Sequence, residues 1–174
     1  KFAPGEQWGY FPAVSGAWVL SRESFLENNE VISNLKLRAA IGLAGNNRID
    51  DDMWRYLYTV NSTSGPAFGE ATENGEQWYG IGDGKTYPNT KIKWETTLTR
   101  NVAFDLGLFN DRLTITPEFY WNTTKDLLYT SDVPTVSGYT KQMRNIGQVT
   151  NKGLELSISG DILRGKDYVL SGNF

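Results

Sequence analysis

The chain has 174 residues and a net charge of −3, and it contains neither Cys nor His. These absences exclude disulfides, thiolate sites and sites that depend on imidazole, and the acidic balance gives no indication of nucleic-acid binding. No apolar run is long enough for a transmembrane helix, but a membrane β-barrel needs none, because half of each barrel strand is polar.

Alternation of apolar and polar side chains predicts six strands, with a short helical turn at 23–28. The N-terminal KFAPGEQWGYF does not have the pattern of a signal peptide, and the last strand reaches Phe174 without a turn. We therefore expect an internal segment of a longer chain. The predicted strands are 8–22, 35–45, 92–108, 112–122, 145–159 and 168–174.

Residues 94–121 carry the longest alternating pattern. If Leu108 faces Leu113 across the turn, the apolar set stays on one side of both strands. At about 3.3 Å per residue and a tilt near 40°, its extent along the first strand is about 25 Å, the height of the lipid-facing band of a barrel. The residues predicted to contact lipid are Leu98, Val102, Phe104, Leu106, Leu108, Leu113, Ile115, Phe119 and Trp121.

The complementary side of these strands is polar and is predicted to face a water-filled lumen. Its acidic members, with one from the fifth strand, are Glu95, Asp105, Glu118 and Glu155.

Arg100 and Pro117 interrupt the apolar side. An arginine facing lipid costs about 2–4 kcal/mol at the bilayer midplane and much less near the interface, so we expect Arg100 at a shallow depth, leaning across the Trp121 ring. Trp94 and Trp121 are expected in an aromatic girdle at the interface. Pro117 has no N–H for the strand ladder and requires a bulge or an unpaired position.

The connections differ in length in a regular way. Tight turns are predicted at 109–111 and 164–167, whereas 46–91 and 123–144 are expected to be long loops. Short turns at one rim and long loops at the other are typical of an outer-membrane barrel. The predicted fold is therefore all-β, with antiparallel up-and-down strands that form part of a large transmembrane β-barrel with long extracellular loops and short periplasmic turns.

The long loops contain many aromatic residues, which either bind sugar rings, contact a partner or pack the loops together. Asp50–Asp52 could bind Ca²⁺, but a solvated loop is favoured because EF-hand spacing is absent. Gly80–Gly84 is expected to be a turn, and no cofactor is predicted. The aromatic candidates are Trp54, Tyr56, Tyr58, Trp78, Tyr79, Tyr87, Tyr129 and Tyr139.

Four stretches of the sequence together carry a family resemblance. They are GYFPAVSGAWVLSRESF with Trp18, Glu23 and Phe25, LKLRAAIGLAGN, IKWETTLTRNVAFDLGLFNDRLTITPEFYWNTTKDLL with Trp94 and Glu95, and NIGQVTNKGLEL with Asn145, Gly147, Asn151, Gly153 and Glu155. These stretches resemble the barrel of SusC/RagA-type TonB-dependent transporters from the outer membrane of Bacteroidetes. They differ from the usual family pattern at Ala40-Ile41 and at Val102-Ala103.

The resemblance implies a piece of a plugged barrel of about 22 strands in the cell outer membrane. It implies energised uptake of oligosaccharides or peptides, without catalysis, together with a SusD-like lipoprotein that covers the extracellular mouth. A TonB complex would act through the plug and other parts of the longer protein.

Two other classes remain open from the residues alone. A soluble β-sandwich carbohydrate-binding module also has strands and aromatic residues, but its strands are usually shorter and its loops lie at both ends. A piece of a glycoside hydrolase would need two carboxylates at a defined separation, which the sequence does not fix.

Overall fold

The computed structural model describes residues 1–27, 29–61, 80–83, 86–164 and 168–174, and within them the fold is all-β, as expected. Two 3-10 turns, Leu20–Arg22 and Thr135–Ser137, accompany the strands. In this described part, no helix has the length and apolar character that a membrane crossing requires. The strands are β1 (Ala13–Val19), β2 (Ile32–Asn46), β3 (Tyr58–Asn61), β4 (Gly80–Asp83), β5 (Thr86–Tyr87), β6 (Glu95–Leu108), β7 (Leu113–Lys125), β8 (Leu128–Asp132), β9 (Lys141–Asn145), β10 (Gln148–Arg164) and β11 (Val169–Asn173).

The chain divides into two compact units. The sequence pattern predicts one continuous barrel segment. Each unit has its own arrangement of strands and is described separately below. The sheet unit comprises Tyr10–Ala44, Thr97–Thr124 and Val149–Phe174, and the loop unit comprises Lys1–Gly9, Gly45–Thr96 and Lys125–Gln148.

The sheet unit is built on a six-stranded sheet in the order β1-β2-β6-β7-β10-β11. Successive long strands are neighbours, which is the up-and-down arrangement. β1 begins at Ala13 rather than at residue 8, whereas β10 continues to Arg164, five residues beyond its predicted end. β2, β6, β7 and β10 contain 15, 14, 13 and 17 residues, well above the usual five or six.

Cross-strand contacts fix the register of the hairpin formed by β6 and β7. The hydroxyls of Thr97 and Thr124 lie 2.9 Å apart. Arg100 Nε donates to the carbonyl oxygen of Trp121 at 3.3 Å. Both pairs fit the register predicted from the alternation, and β7 runs through Pro117 without interruption.

The turn between β6 and β7 is made by three successive residues in the left-handed region. Phe109, Asn110 and Asp111 have φ values of 55°, 58° and 59°. Asn and Asp tolerate this region, whereas for Phe it is uncommon. Two neighbouring residues hold the turn, since Phe109 N donates to the Val31 backbone carbonyl at 2.9 Å and Asp111 N donates to the Ser33 hydroxyl at 3.0 Å. The second tight turn is predicted at 164–167; Arg164 ends β10, and residues 165–167 lie outside the described residues.

The two sides of the sheet differ in chemistry over β2, β6, β7 and β10. We call the side that carries Val102 and Trp121 the apolar face and the side that carries Asp105 and Glu118 the polar face. Because side chains alternate along a strand, this definition assigns each remaining position of the four strands to one of the two faces.

The loop unit has a hydrophobic core of Phe2, Ile49 and Ile92, of which Ile92 is fully buried. The Trp94 ring stacks on Phe2, with centroids 5.2 Å apart. The expectation that Trp94 belongs to an aromatic girdle is therefore wrong: β6 begins only at Glu95, so the Trp94 side chain is free of the strand alternation and turns into this core. Met53, Trp54, Leu128 and Met143 pack around it.

The long segments also contain short strands that the sequence analysis did not predict. β3 pairs with β4, so that Gly80–Asp83 is a strand rather than the expected turn. β8 and β9 are antiparallel, and β5 joins them through a parallel pairing of Thr86 with Lys141. The two long segments thus share one small sheet.

Gly153 provides a test of the packing on the polar face. A Cβ at this position would lie 2.6 Å from the Tyr120 hydroxyl oxygen, whereas a Cβ at Gly16 would meet no atom within 4 Å. We expect Gly153→Ala to lower the free energy of unfolding of the full-length protein in detergent by about 1–3 kcal/mol, because the Tyr120 ring has to move. Gly16→Ala is the matched control and should leave the thermal midpoint nearly unchanged. Equal midpoints for both variants would show that Tyr120 does not depend on this glycine.

Candidate functional site

The polar face contains two pairs of side chains, and within each pair the partners are joined by hydrogen bonds. Arg38 donates from Nε and Nη2 to the two carboxylate oxygens of Asp105, both at 2.9 Å. Asn101 Nδ2 donates to Glu118 Oε1 at 3.0 Å. Two of the four predicted lumen carboxylates are therefore engaged on the expected face, and the planar fork of Arg38 compensates the charge of Asp105. Glu155 is exposed.

Glu95 has a different role from the other acidic candidates, because its contacts lie in the loop unit. Its Oε1 accepts a hydrogen bond from Asn46 Nδ2 and its Oε2 accepts one from the Leu128 backbone N–H, each at 3.0 Å. The carboxylate thus joins the end of β2 to the start of β8. This role is absent from the sequence analysis.

Asn145 makes a second connection of this kind. Its Oδ1 accepts from Lys93 N at 2.9 Å, and its Nδ2 donates to Lys93 O at 2.8 Å and to Asp126 O at 2.9 Å. The Lys93 ammonium also pairs with the Asp126 carboxylate at 3.0 Å. One amide side chain thus satisfies three backbone groups where β6 begins and β7 ends.

Three of the predicted loop aromatics come together in the loop unit. The rings of Tyr87 and Tyr139 meet edge to face with centroids 5.0 Å apart. Tyr87 also lies beside Tyr56, and its phenol raises the pKa of Tyr56, chiefly because a second negative charge there would be repelled. Tyr139 is buried, whereas Tyr56 is exposed. The contact joins the two long segments.

The remaining aromatic candidates differ in their accessibility. Tyr58 and Tyr129 are each 64% exposed. Trp54 packs against the hydrophobic core, and the Arg55 guanidinium lies 4.7 Å from its ring centroid. Trp78 and Tyr79 fall outside the described residues. Tyr58 and Tyr129 are therefore the described candidates with most surface for a ligand.

The acidic run at Asp50–Asp52 is engaged in a local contact. Asp52 has a φ of 58°, and its carboxylate lies 3.7 Å from Arg55 Nε. In the parts of the chain that the structure describes, no group of three or more His, Cys, Asp or Glu side chains is arranged to hold a metal ion.

The apolar face lies open. Val102, Phe104, Phe119 and Trp121 are 41%, 38%, 53% and 52% exposed, and the other predicted lipid-facing residues are half-buried. The Arg100 guanidinium lies 4.5 Å from the Trp121 ring centroid, which confirms the predicted contact. A soluble sandwich buries such a face under a second sheet, and none of these side chains is buried.

Long antiparallel strands, an open apolar face and an ion-paired polar face together describe part of the wall of a membrane β-barrel. Comparison with known proteins agrees: the chain matches the family "TonB dependent receptor-like, beta-barrel" over residues 2–174 and belongs to that family. It is a SusC/RagA-type barrel segment, and such proteins lie in the outer membrane.

Two relatives and one solved structure illustrate the similarity. The chain is 34% identical over 174 residues to TonB-dependent receptor P39 of Formosa agariphila, which covers all of this chain and 16% of the relative. It is 34% identical over 170 residues to TonB-dependent receptor SusC of Bacteroides thetaiotaomicron, covering 97% of this chain and 16% of SusC. The RagAB peptide importer in its closed-closed state matches with a TM-score of 0.84 at 28% identity, over 99% of this chain and 18% of the importer chain.

These matches exclude one of the classes that the sequence left open. The chain spans 16% of the length of the curated relatives named above. The alternative of a soluble β-sandwich module is wrong, because the family is a barrel family and the apolar face of the sheet is not covered by a second layer in the described residues.

The Asn145 contacts generate a prediction. We expect Asn145→Ala to accelerate hydrogen exchange of the Lys93 amide by about two- to tenfold, because the exposed Lys93 N–H loses a hydrogen bond whose net contribution is about 0.5–1.5 kcal/mol. Asn145→Asp keeps the acceptor for Lys93 N–H but cannot donate to the two carbonyls, and should have an intermediate effect. Mass-spectrometric exchange on the full-length protein measures both variants.

Gln148→Ala is the control, since that side chain is exposed and lies only three residues after Asn145 in the sequence. If Lys93 exchanges at the wild-type rate in Asn145→Ala, then the amide does not hold this strand end.

Proposed function

We propose that this chain forms part of the wall of an energised outer-membrane importer for oligosaccharides or peptides. The observation that supports this most directly is the division of the sheet between an open apolar face, with Phe119 and Trp121, and a polar face on which Arg38 pairs with Asp105. The apolar face is assigned to lipid and the polar face to the lumen. The protein would move its substrate without making or breaking covalent bonds.

The physical basis is that lipid offers no hydrogen-bond partners. A closed barrel satisfies its backbone groups between neighbouring strands, so only the outward side chains meet hydrocarbon. Toward the lumen, the bidentate Arg38–Asp105 pair and the Asn101–Glu118 hydrogen bond leave a hydrated wall with its charges partly compensated. Such a wall favours passage of polar molecules over tight binding.

Substrate contact is assigned to the two most exposed tyrosine candidates of the loop unit, Tyr58 and Tyr129. Phenol rings can stack on sugar rings and can pack against peptide side chains. The similarity to a peptide importer supports the peptide class, and the resemblance to SusC-type transporters supports oligosaccharides. A SusD-like lipoprotein above the long loops and a TonB complex acting through other parts of the longer protein complete the proposed machinery.

Spin labels test the assignment of the two faces. Positions 154–157 of β10 are all exposed and the chain has no Cys, so single cysteines can be labelled there. In the full-length protein in vesicles, labels at 154 and 156 should be relaxed mainly by oxygen and labels at 155 and 157 mainly by a water-soluble nickel complex. Equal accessibility at all four positions would contradict the barrel assignment.

Uptake assays test the tyrosines. Tyr58→Ala and Tyr129→Ala should each raise the half-saturating concentration for uptake of a mixture of oligosaccharides or of tryptic peptides by about two- to tenfold, the effect of losing one aromatic contact. Tyr139 is buried, so Tyr139→Ala should instead increase protease cleavage within the loop unit. Wild-type uptake of both substrate classes by both exposed-site variants would exclude Tyr58 and Tyr129 from substrate contact.

A further inference from the structure

A trough of about 900 Å³ lies in the sheet unit, and Val14, Ile41, Val102 and Phe119 are among the side chains that line it. All four fall on the apolar face. The paired residues Gly16 and Ala39 also line it and are small, which leaves room between the larger side chains.

Two cations line the same trough. Arg100 and Lys152 are both among its residues, with Trp121 between them. Arg100 contacts Trp121 directly. Tyr120 lies against Gly153, so the antiparallel ladder sets Trp121 beside Lys152. The two basic residues therefore lie two strands apart in one row, with a backbone separation of about 10 Å.

No acidic residue of β2, β6, β7 or the part of β10 up to residue 155 shares this face. Glu95, Asp105, Glu118 and Glu155 are the carboxylates of β2, β6, β7 and β10 up to residue 155, and all four fall at polar-face positions. The positive charge of Arg100 and Lys152 is thus available to an anion that approaches from the apolar face.

Arg100 is held in a fixed orientation. Its Nε donates to the Trp121 carbonyl, and its Nη2 donates to the hydroxyl of Thr123 at 3.0 Å; Thr123 is buried. A guanidinium carries five N–H donors, so these two contacts position the group and still leave donors for a ligand. A planar fork of this kind is well suited to a phosphate.

The row lies nearer to the strand ends that lead into the long segments than to the opposite ends: Arg100 is the sixth of the 14 residues of β6, Trp121 the ninth of the 13 of β7 and Lys152 the fifth of the 17 of β10. In outer-membrane barrels, the long connections are extracellular. A lipid-facing cation costs least at the interface, where the lipid phosphates are also found.

We propose that this trough binds a phosphate-bearing lipid of the outer leaflet, with its acyl chain along Val14, Ile41, Val102 and Phe119 and its phosphate between Arg100 and Lys152. An apolar trough with both cations in one row fits a molecule with an anionic head and an apolar tail. The proposal rests on the proposed function, because it takes the apolar face to be in contact with lipid.

Native mass spectrometry of the full-length protein released from nanodiscs tests the proposal. The nanodiscs contain phosphatidic acid or a galactosyl diacylglycerol with the same acyl chains. Phosphatidic acid should be retained preferentially, and retention should fall about fivefold for each of Arg100→Gln and Lys152→Gln. Arg100→Lys keeps the positive charge and should retain more phosphatidic acid than Arg100→Gln, but less than wild type. Lys36→Gln removes a cation from the polar face of the same sheet and should have no effect.

Excess inorganic phosphate should not displace the lipid; displacement would assign the cations to free phosphate and overturn the proposal. Gly16→Leu should reduce retention of both lipids, because the added side chain fills the trough without changing charge. If wild type retains the two lipids equally, and the double variant R100Q/K152Q retains them as wild type does, then the site does not recognise the headgroup. If the protein is instead a dimer that dissociates in Arg100→Gln and in Lys152→Gln, then a second copy of the chain occupies the trough. That result would overturn the lipid proposal.

The spin-label experiment on 154–157 separates this proposal from the proposed function. Alternating accessibility with no lipid preference would reject the lipid site and leave the barrel wall in place. Uniform accessibility would remove the basis for both.

Discussion

Strand register is the constraint on which the rest of the sheet depends. Side chains alternate with a period of two, so a slip of one residue would exchange the two faces of a strand. Three contacts hold the register: the Arg38–Asp105 ion pair, the paired hydroxyls of Thr97 and Thr124, and the Arg100 guanidinium on Trp121. Each joins neighbouring strands at one defined level. With the register fixed, apolar side chains collect on one face and compensated polar groups on the other, and both the membrane and the lumen assignments follow from that separation.

The loop unit solves a different physical problem. A long polar connection gains little from the sheet, so it needs a core and hydrogen-bond partners of its own. Ile92 and its neighbours supply the core, while the Glu95 carboxylate and the Asn145 amide satisfy backbone groups where strands end. Tyr87 and Tyr139 then join the two long segments. Tyr58 and Tyr129 remain on the surface of a unit that is already supported from within, which is consistent with the ligand contact proposed for them.

The features that could be predicted from the sequence are those that depend on the local alternation of apolar and polar side chains. The positions of the long strands, the turn after β6 and the Arg100–Trp121 contact all depend on neighbours a few residues away or directly across a hairpin. Asn145 depends on partners 52 and 19 residues away, and no periodicity reports such contacts. The aromatic-girdle prediction for Trp94 is wrong because Trp94 continues the apolar–polar alternation one residue before β6 begins. Trp18 and Glu23 were noted only for their resemblance to the family, whereas the structure gives them a shared role, since the indole N–H donates to the carboxylate at 2.9 Å.

The parallel pairing of β5 with β9 has a consequence for the order of assembly. The two strands are separated in sequence by β6, β7 and β8, so their pairing closes a long stretch of chain. The entropy cost of closure grows with the length of free chain between the ends. Formation of the β6–β7 hairpin first shortens that free length and lowers the cost. We therefore expect the shared sheet of the two long segments to form late, after β6 and β7 have paired.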